Sequence, residues 1–147
     1  MSQQGGDNFA SYGVYGIAAT RTRYVVFDVA GTPVPQGSMR SPKAGVVIHN
    51  SGEKLKSWRD SIGTLASVHF KGAPHTGPVS VALTFGLKPP QKHEVRPIKK
   101  PDLDKLVRAV LDALTSIAYK DDSQVVHIEA EKHYDDRPGL TVEVWLL

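Results

Sequence analysis

Apolar positions recur along the chain in two different periods, and the switches between them divide it into six elements. Tyr24 to Val29 is β-branched and aromatic and reads as a strand; Gly31-Thr32-Pro33-Val34-Pro35-Gln36-Gly37 ends it, because proline cannot donate to a ladder. A long loop carrying Arg40 and Lys43 follows. From about Glu53 to His69, Leu55, Trp58, Ile62 and Leu65 return at spacings of three and four, the signature of one helical face, with Asn50 and Ser51 available as caps. Gly72, Pro74, Gly77 and Pro78 break that helix, and Val79, Val81, Leu83 and Phe85 then alternate as a half-buried strand. Leu103, Leu106, Val107, Val110, Leu111 and Leu114 form the best helical stripe in the chain, with Pro101 at its entrance. Val126, Ile128 and Ala130 alternate with His127, Glu129 and Glu131. The turn Asp135-Asp136-Arg137-Pro138-Gly139 leads into Leu140, Val142, Val144 and Leu146. The order is strand, helix, strand, helix and a closing strand pair. It predicts a single small α+β domain over residues 23–147, a mixed α/β fold with one mixed sheet of about four strands under two main helices. Residues 1–22 are rich in Gly, Ser, Gln and Ala without either period and read as a flexible N-terminal arm.

Composition narrows the chemistry. With 147 residues and no cysteine, the chain is the size of one domain, and thiolate metal sites, cysteine nucleophiles and redox dithiols are excluded. No apolar run approaches the roughly 18 residues that span a bilayer, and the N-terminus lacks the basic start and apolar stretch of a secretory signal. The expectation is a cytoplasmic protein with no membrane partner. A formal charge of +3 says little as a total. Its distribution says more: Lys88, Lys92, Arg96, Lys99, Lys100, Lys105 and Arg108 are opposed within their stretch only by Glu94, Asp102 and Asp104. A basic run taken alone is most often a solvated loop.

The acidic residues beside it are more informative. Asp102 and Asp104 open the second helix, where Asp is a favoured cap and negative charge is stabilised by the helix dipole. Asp121-Asp122 recurs before the next strand, where an acidic turn is the ordinary explanation. Both pairs flank one helix and its loops, and a strand start beside a helix start is a geometry in which carboxylates converge. Three such oxygens suit Mg²⁺ or Mn²⁺, hard cations that leave positions for water and phosphate. Arg108 lies one turn beyond Asp104 on the same flank, within reach of a phosphate held there or of an ion pair with Asp112. His127, Glu129, Glu131 and His133 share a strand face that solvent exposure explains better than zinc. Trp58 reads as core or interface, and Tyr119 as a stacking or packing residue. No phosphate-cradling Walker loop, GxSxG or dinucleotide fingerprint is present.

The run KKPDLDKLVRAVLDALTSIAYKDDSQVV, Lys99 to Val126, resembles the core signature of the RusA family of Holliday junction resolvases, and TPVPQGSMR, Thr32 to Arg40, is similar to that family's loop after the first strand. The resemblance spans roughly residues 24–147. It implies a small homodimeric crossover junction endodeoxyribonuclease of bacterial, phage or prophage origin, dependent on Mg²⁺ with Mn²⁺ substituting, that resolves four-way junction DNA by paired symmetric nicks in recombination and repair. The implied metal ligands, also catalytic, are Asp102, Asp104 and Asp122, with Asp121 their neighbour. The family's catalytic lysine falls on Arg108, which keeps the charge but cannot exchange a proton at working pH. Lys105 stands where relatives often have Asn. The implied mechanism is metal-assisted phosphodiester hydrolysis leaving 5′-phosphate and 3′-hydroxyl ends. Lys92, Arg96, Lys99, Lys100 and Lys105, with Arg40 and Lys43 from the first loop, are the expected DNA-binding residues. The sequence does not name the dimer interface; the first helix, with Trp58, is one candidate for it. The departures at Arg108 and Lys105 leave open a branched-DNA-binding protein with impaired catalysis, or a less selective structure-specific nuclease.

Overall fold

A computed structural model describes residues 22–37 and 50–147. Arg40, Lys43, nearly all of the N-terminal arm and the side chains of the expected caps Asn50 and Ser51 lie outside what is described. Six main elements follow in the expected order: β1 (Arg23–Ala30), α1 (Asn50–His69), β2 (Val79–Leu87), α2 (Leu103–Leu114), β3 (Val125–Tyr134) and β4 (Gly139–Leu146), with a short 3-10 turn at Asp122–Gln124. The four strands form one mixed sheet in the order β1-β4-β2-β3, antiparallel except for the β2–β3 pair.

The last two strands follow each other in sequence without being neighbours in the sheet. β4 lies between β1 and β2, and β3 is an outer strand. The chain crosses over the end of β2 to get there. Asp135 N–H donates to the Leu87 carbonyl at 2.8 Å, and a side chain at Gly86 would come 3.1 Å from the Asp135 Cβ. Gly139 then starts β4 where any Cβ would meet the Val29 carbonyl oxygen at 2.8 Å, so the sharp return needs glycine. Burial explains the placement. Leu140, Val142, Val144 and Leu146 are all buried against the helices, which suits the inner position of β4. The polar residues of β3 suit an edge.

Both helices lie on one face of the sheet. Val25, Phe27, Val29, Val81, Leu83, Phe85, Val142 and Val144 point into a core closed by Trp58, Ile62 and Ala66 of α1 and by Leu106, Ala109, Val110, Ala113 and Leu114 of α2. Trp58 is thus a core residue, one of the two roles its place in the helical stripe allowed. The stripe on α2 is rotated relative to its sequence reading: Ala109 and Ala113 are buried, while Leu103 and Leu111 are only half-buried. The cause is α1, which approaches α2 on the alanine side, where a Cβ at Gly63 would sit 3.3 Å from Ile117 and 3.9 Å from the Ala113 carbonyl. Leu111 is left on the opposite flank, above β3.

β2 and β3 run parallel with α2 as their crossover. The start of α2 therefore lies at the carboxyl ends of these strands, and the turn after α2 lies at their amino ends.

Candidate active site

The start of α2 is held from two sides. Lys132 on β3 donates from Nζ to the carbonyls of Lys99 and Pro101, both at 2.8 Å. The loop after β1 supplies the second tether, with Gln36 N–H donating to the Lys105 carbonyl at 2.9 Å. The Lys100–Pro101 peptide is cis, and Asp102 follows as the N-cap residue.

Asp102 has the extended backbone of a cap but makes no side-chain capping bond. The capping half of the ordinary explanation for an aspartate here is therefore not realised. Its carboxylate is exposed and lies 3.5 Å from Lys105 Nζ, an ion pair screened by solvent. Asp104, in the first helical turn, is exposed and has no ion pair or side-chain hydrogen bond among the described residues. The dipole of α2 favours both anions where they stand. Arg108 is exposed on the flank of Asp104, one turn on, and the alternative pairing with Asp112 is not formed.

Above these residues runs the loop of residues 88–101. It is anchored by the buried Pro97, by His93 packing edge-on against Tyr134 at 4.7 Å between centroids, and by Lys132. Its cations Lys92, Arg96, Lys99 and Lys100 are all exposed. Basic side chains on a tethered loop beside these exposed carboxylates make a surface for a polyanion.

The second acidic pair divides its work. Asp121 caps the 3-10 turn: its Oδ1 accepts from Ser123 N–H at 2.9 Å, and Gln124 Oε1 accepts in return from Asp121 N–H at 2.9 Å. The backbone and side chain of Ser123 hold the Asp121 carboxyl below the usual range for an aspartate. Gln124 also donates to the carbonyls of His75 and Gly77, fastening the turn to the start of β2. Asp122 is exposed; its carbonyl accepts from Val125 N–H at the end of the turn, and its side chain adds to the lowering of the Asp121 carboxyl.

The expected convergence does not occur within one chain. Asp102 and Asp104 begin α2 and Asp122 follows its end, so the length of a twelve-residue helix, about 18 Å, separates them. Among the described residues, no group of three or more His, Cys, Asp or Glu is placed to hold a metal. The Asp102–Asp104 pair nonetheless fits a hard divalent cation, since Mg²⁺ is commonly held by one or two carboxylates with water and phosphate completing the shell. On β3, His127–Glu129 and His133–Asp135 are separate pairs, each at 3.6 Å, as a solvent-facing strand predicts. Tyr119 is fully buried, donates to the Leu111 carbonyl at 2.8 Å, and has its hydroxyl pKa pushed up by burial; it packs and does not stack on a base.

Lys132, Gln124 and Gln36 are the supporting residues that pattern reading missed. Lys132 had a signal: it follows Ile128 and Ala130 on the parity that faces the helices, where a cation needs partners. Asp121-x-x-Gln124 is likewise a readable capping box.

Residues 30–145 match the family of the endodeoxyribonuclease RusA. The chain is 35% identical to the uncharacterized protein YqaN of Bacillus subtilis, over 82% of this chain and 94% of the relative. It is 31% identical to a crossover junction endodeoxyribonuclease RusA of Lactococcus phage r1t, over 45% of this chain and 51% of the relative. The matched span takes in every described element from the end of β1 almost to the end of β4, including both acidic pairs and the basic loop, and the chain belongs to the RusA family of endodeoxyribonucleases.

Proposed function

We propose that this endodeoxyribonuclease resolves four-way DNA junctions as a homodimer, with Mg²⁺ or Mn²⁺ held by Asp102, Asp104 and Asp122. The observation that carries the reading is Asp102, which occupies a cap position without capping, next to Asp104, which has no ion pair among the described residues, and under a tethered basic loop. The separation of Asp122 from that pair adds a requirement. The set is completed across two chains, Asp102 and Asp104 coming from one copy and Asp122 from the other.

When bound, the cation supplies positive charge at the scissile phosphate and makes a coordinated water more acidic. The protein's part is placement and charge. Asp102 and Asp104 hold the cation at a fixed helix start. Lys132 and Gln36 keep that start in place. Arg108 grips a phosphate oxygen through its guanidinium and offsets negative charge gathering there; it exchanges no proton. Lys105 balances Asp102. Lys92, Arg96, Lys99 and Lys100, with Arg40 and Lys43 from the first loop, neutralise backbone phosphates of the duplex arms and so set orientation rather than sequence preference. A twofold protein matches a junction with two equivalent strands to cut. No helix among the described residues is long and apolar enough to cross a membrane. Together with bacterial and phage relatives, this favours action on DNA in the bacterial cytoplasm.

The test is incision of a synthetic four-way junction and of a linear duplex of the same sequence, with Mg²⁺, with Mn²⁺ and with chelator. Paired cuts in the junction alone, lost with chelator, are expected. Binding without cutting under either metal would overturn the reading, and equal cutting of the linear duplex would overturn its junction specificity.

A further inference from the structure

We infer that Val95 and Ile98, two apolar tips on the basic loop, enter the branch point of a four-way junction and lie against base faces left unstacked there. This pair, and not the cations around it, makes the chain prefer branched DNA to linear duplex. The inference rests on the reading of the loop as a DNA surface and names what on the DNA is recognised as branched.

Val95 and Ile98 are 92% and 73% exposed, the highest values of any large hydrophobic side chain among the described residues. A single apolar residue in water is ordinary. These two share one loop with the exposed cations Lys92, Arg96, Lys99 and Lys100, where Glu94 is the only acid between residues 88 and 101. The loop is also braced around them. His93 packs edge-on against Tyr134, Pro97 is buried, and Lys132 Nζ donates to the Lys99 carbonyl at 2.8 Å. Fixed points therefore stand on both sides of Val95 and of Ile98, and with Pro97 seated in the protein the two side chains stand out on either side of it.

The chemistry of the tips selects what they meet. Valine and isoleucine carry no donor or acceptor, so they neither neutralise a phosphate nor read the hydrogen-bonding edges of bases. They complement a flat apolar face. In a linear duplex each base face is stacked on its neighbour, whereas a branch point interrupts the stack and leaves faces to cover. Apolar side chains held by cations on the flanking backbone are the usual means of prising open such a step. Position agrees with this use: Ile98 precedes Asp102 by four residues, a span of at most about 14 Å. The step that the tips enter thus lies within a few base pairs of a phosphate held at Asp102 and Asp104, which couples recognition of the branch to the place of cutting.

The test reads base stacking without cutting. A synthetic four-way junction carries 2-aminopurine in place of an adenine at the branch point, and a second junction carries it in the middle of one arm; both are titrated with protein in the presence of chelator. Wild-type protein is expected to raise the fluorescence about twofold or more at the branch point and to leave the arm position unchanged. The double variant Val95→Ser, Ile98→Ser is expected to lose the rise. Its junction affinity should fall about tenfold, as for partial burial of two branched side chains, with linear duplex binding unchanged. Val95→Leu with Ile98→Leu should keep both properties. Both sites are exposed, and circular dichroism and thermal melting check that the fold is kept. No rise with wild-type protein, a rise retained by the double serine variant, or equal losses on junction and duplex would overturn the inference. So would a change in sedimentation of the double serine variant, which would assign the pair to a contact between copies. Protein that opens the branch point yet cuts with neither Mg²⁺ nor Mn²⁺ contradicts the proposed function alone, and a junction-cutting protein that gives no rise contradicts this inference alone.

Discussion

Lys132 donates from Nζ to the Pro101 carbonyl at 2.8 Å, joining the outer strand to the residue that precedes Asp102. The same ammonium reaches the Lys99 carbonyl, so one side chain sets both the basic loop and the start of α2. Lys132→Met removes two charge-assisted bonds and should cost on the order of 2 kcal/mol of stability. It should also raise the Mg²⁺ concentration needed for half-maximal cutting, because Asp102 loses its fixed position. Lys132→Arg should recover part of that affinity. Thermal melts and a Mg²⁺ titration of junction cutting check both, and an unchanged titration in the methionine variant would reduce Lys132 to a structural residue.

The acidic residues should separate sharply. Asp102→Asn, Asp104→Asn and Asp122→Asn are each expected to abolish cutting while junction binding persists, since the amide removes a charged ligand and also some repulsion toward phosphate. Asp121→Asn, whose amide oxygen still accepts from Ser123 N–H, is expected to keep cutting. Gel-shift and single-turnover assays on the four proteins decide this, and normal cutting by any of the first three would remove that residue from the site.

Arg108 is free of Asp112, so its charge is available to substrate. Arg108→Lys should retain or raise the single-turnover rate, as it restores the residue type of the resembled family, and Arg108→Ala should lose it. An alanine variant as fast as wild type would show that the guanidinium plays no part at the phosphate.

Lys99 and Lys100 are exposed at the anchored end of the basic loop. Replacing both with alanine should weaken binding to junction and duplex alike, and flatten the dependence of log K on log salt by roughly 0.9 for each phosphate no longer neutralised. The slope on both substrates is the measurement. Equal slopes before and after would leave these lysines to balance Asp102 and Asp104.

Periodicity carried most of the fold into view, because each element buries one face and repeats accordingly: the α2 stripe and the alternation of β4 are both readable from spacing. Neighbour order was not readable. The alternation of Leu140 to Leu146 demands a buried face without saying which strands flank it, and the crossover depends on close approaches at Gly86 and Gly139 that have no periodic signature. The acidic pairs stood out by residue type, but spacing along one chain could not reveal that α2 keeps them apart. The supports are long-range: Lys132 lies 31 residues from Pro101 in sequence and Gln124 lies 49 from His75.

A carboxylate set completed between two copies is tested most directly by mixing two inactive proteins. Asp102→Asn and Asp122→Asn chains carrying different tags are co-expressed, and the mixed dimer is isolated through both tags. One of its two sites then combines an intact Asp102 and Asp104 with an intact Asp122 from the other copy, while the second site carries both substitutions. The prediction is recovery of Mg²⁺-dependent nicking, confined to a single strand of the junction, by a mixed dimer whose parent homodimers are both inert. A mixed dimer that binds the junction and cuts neither strand would contradict the shared site.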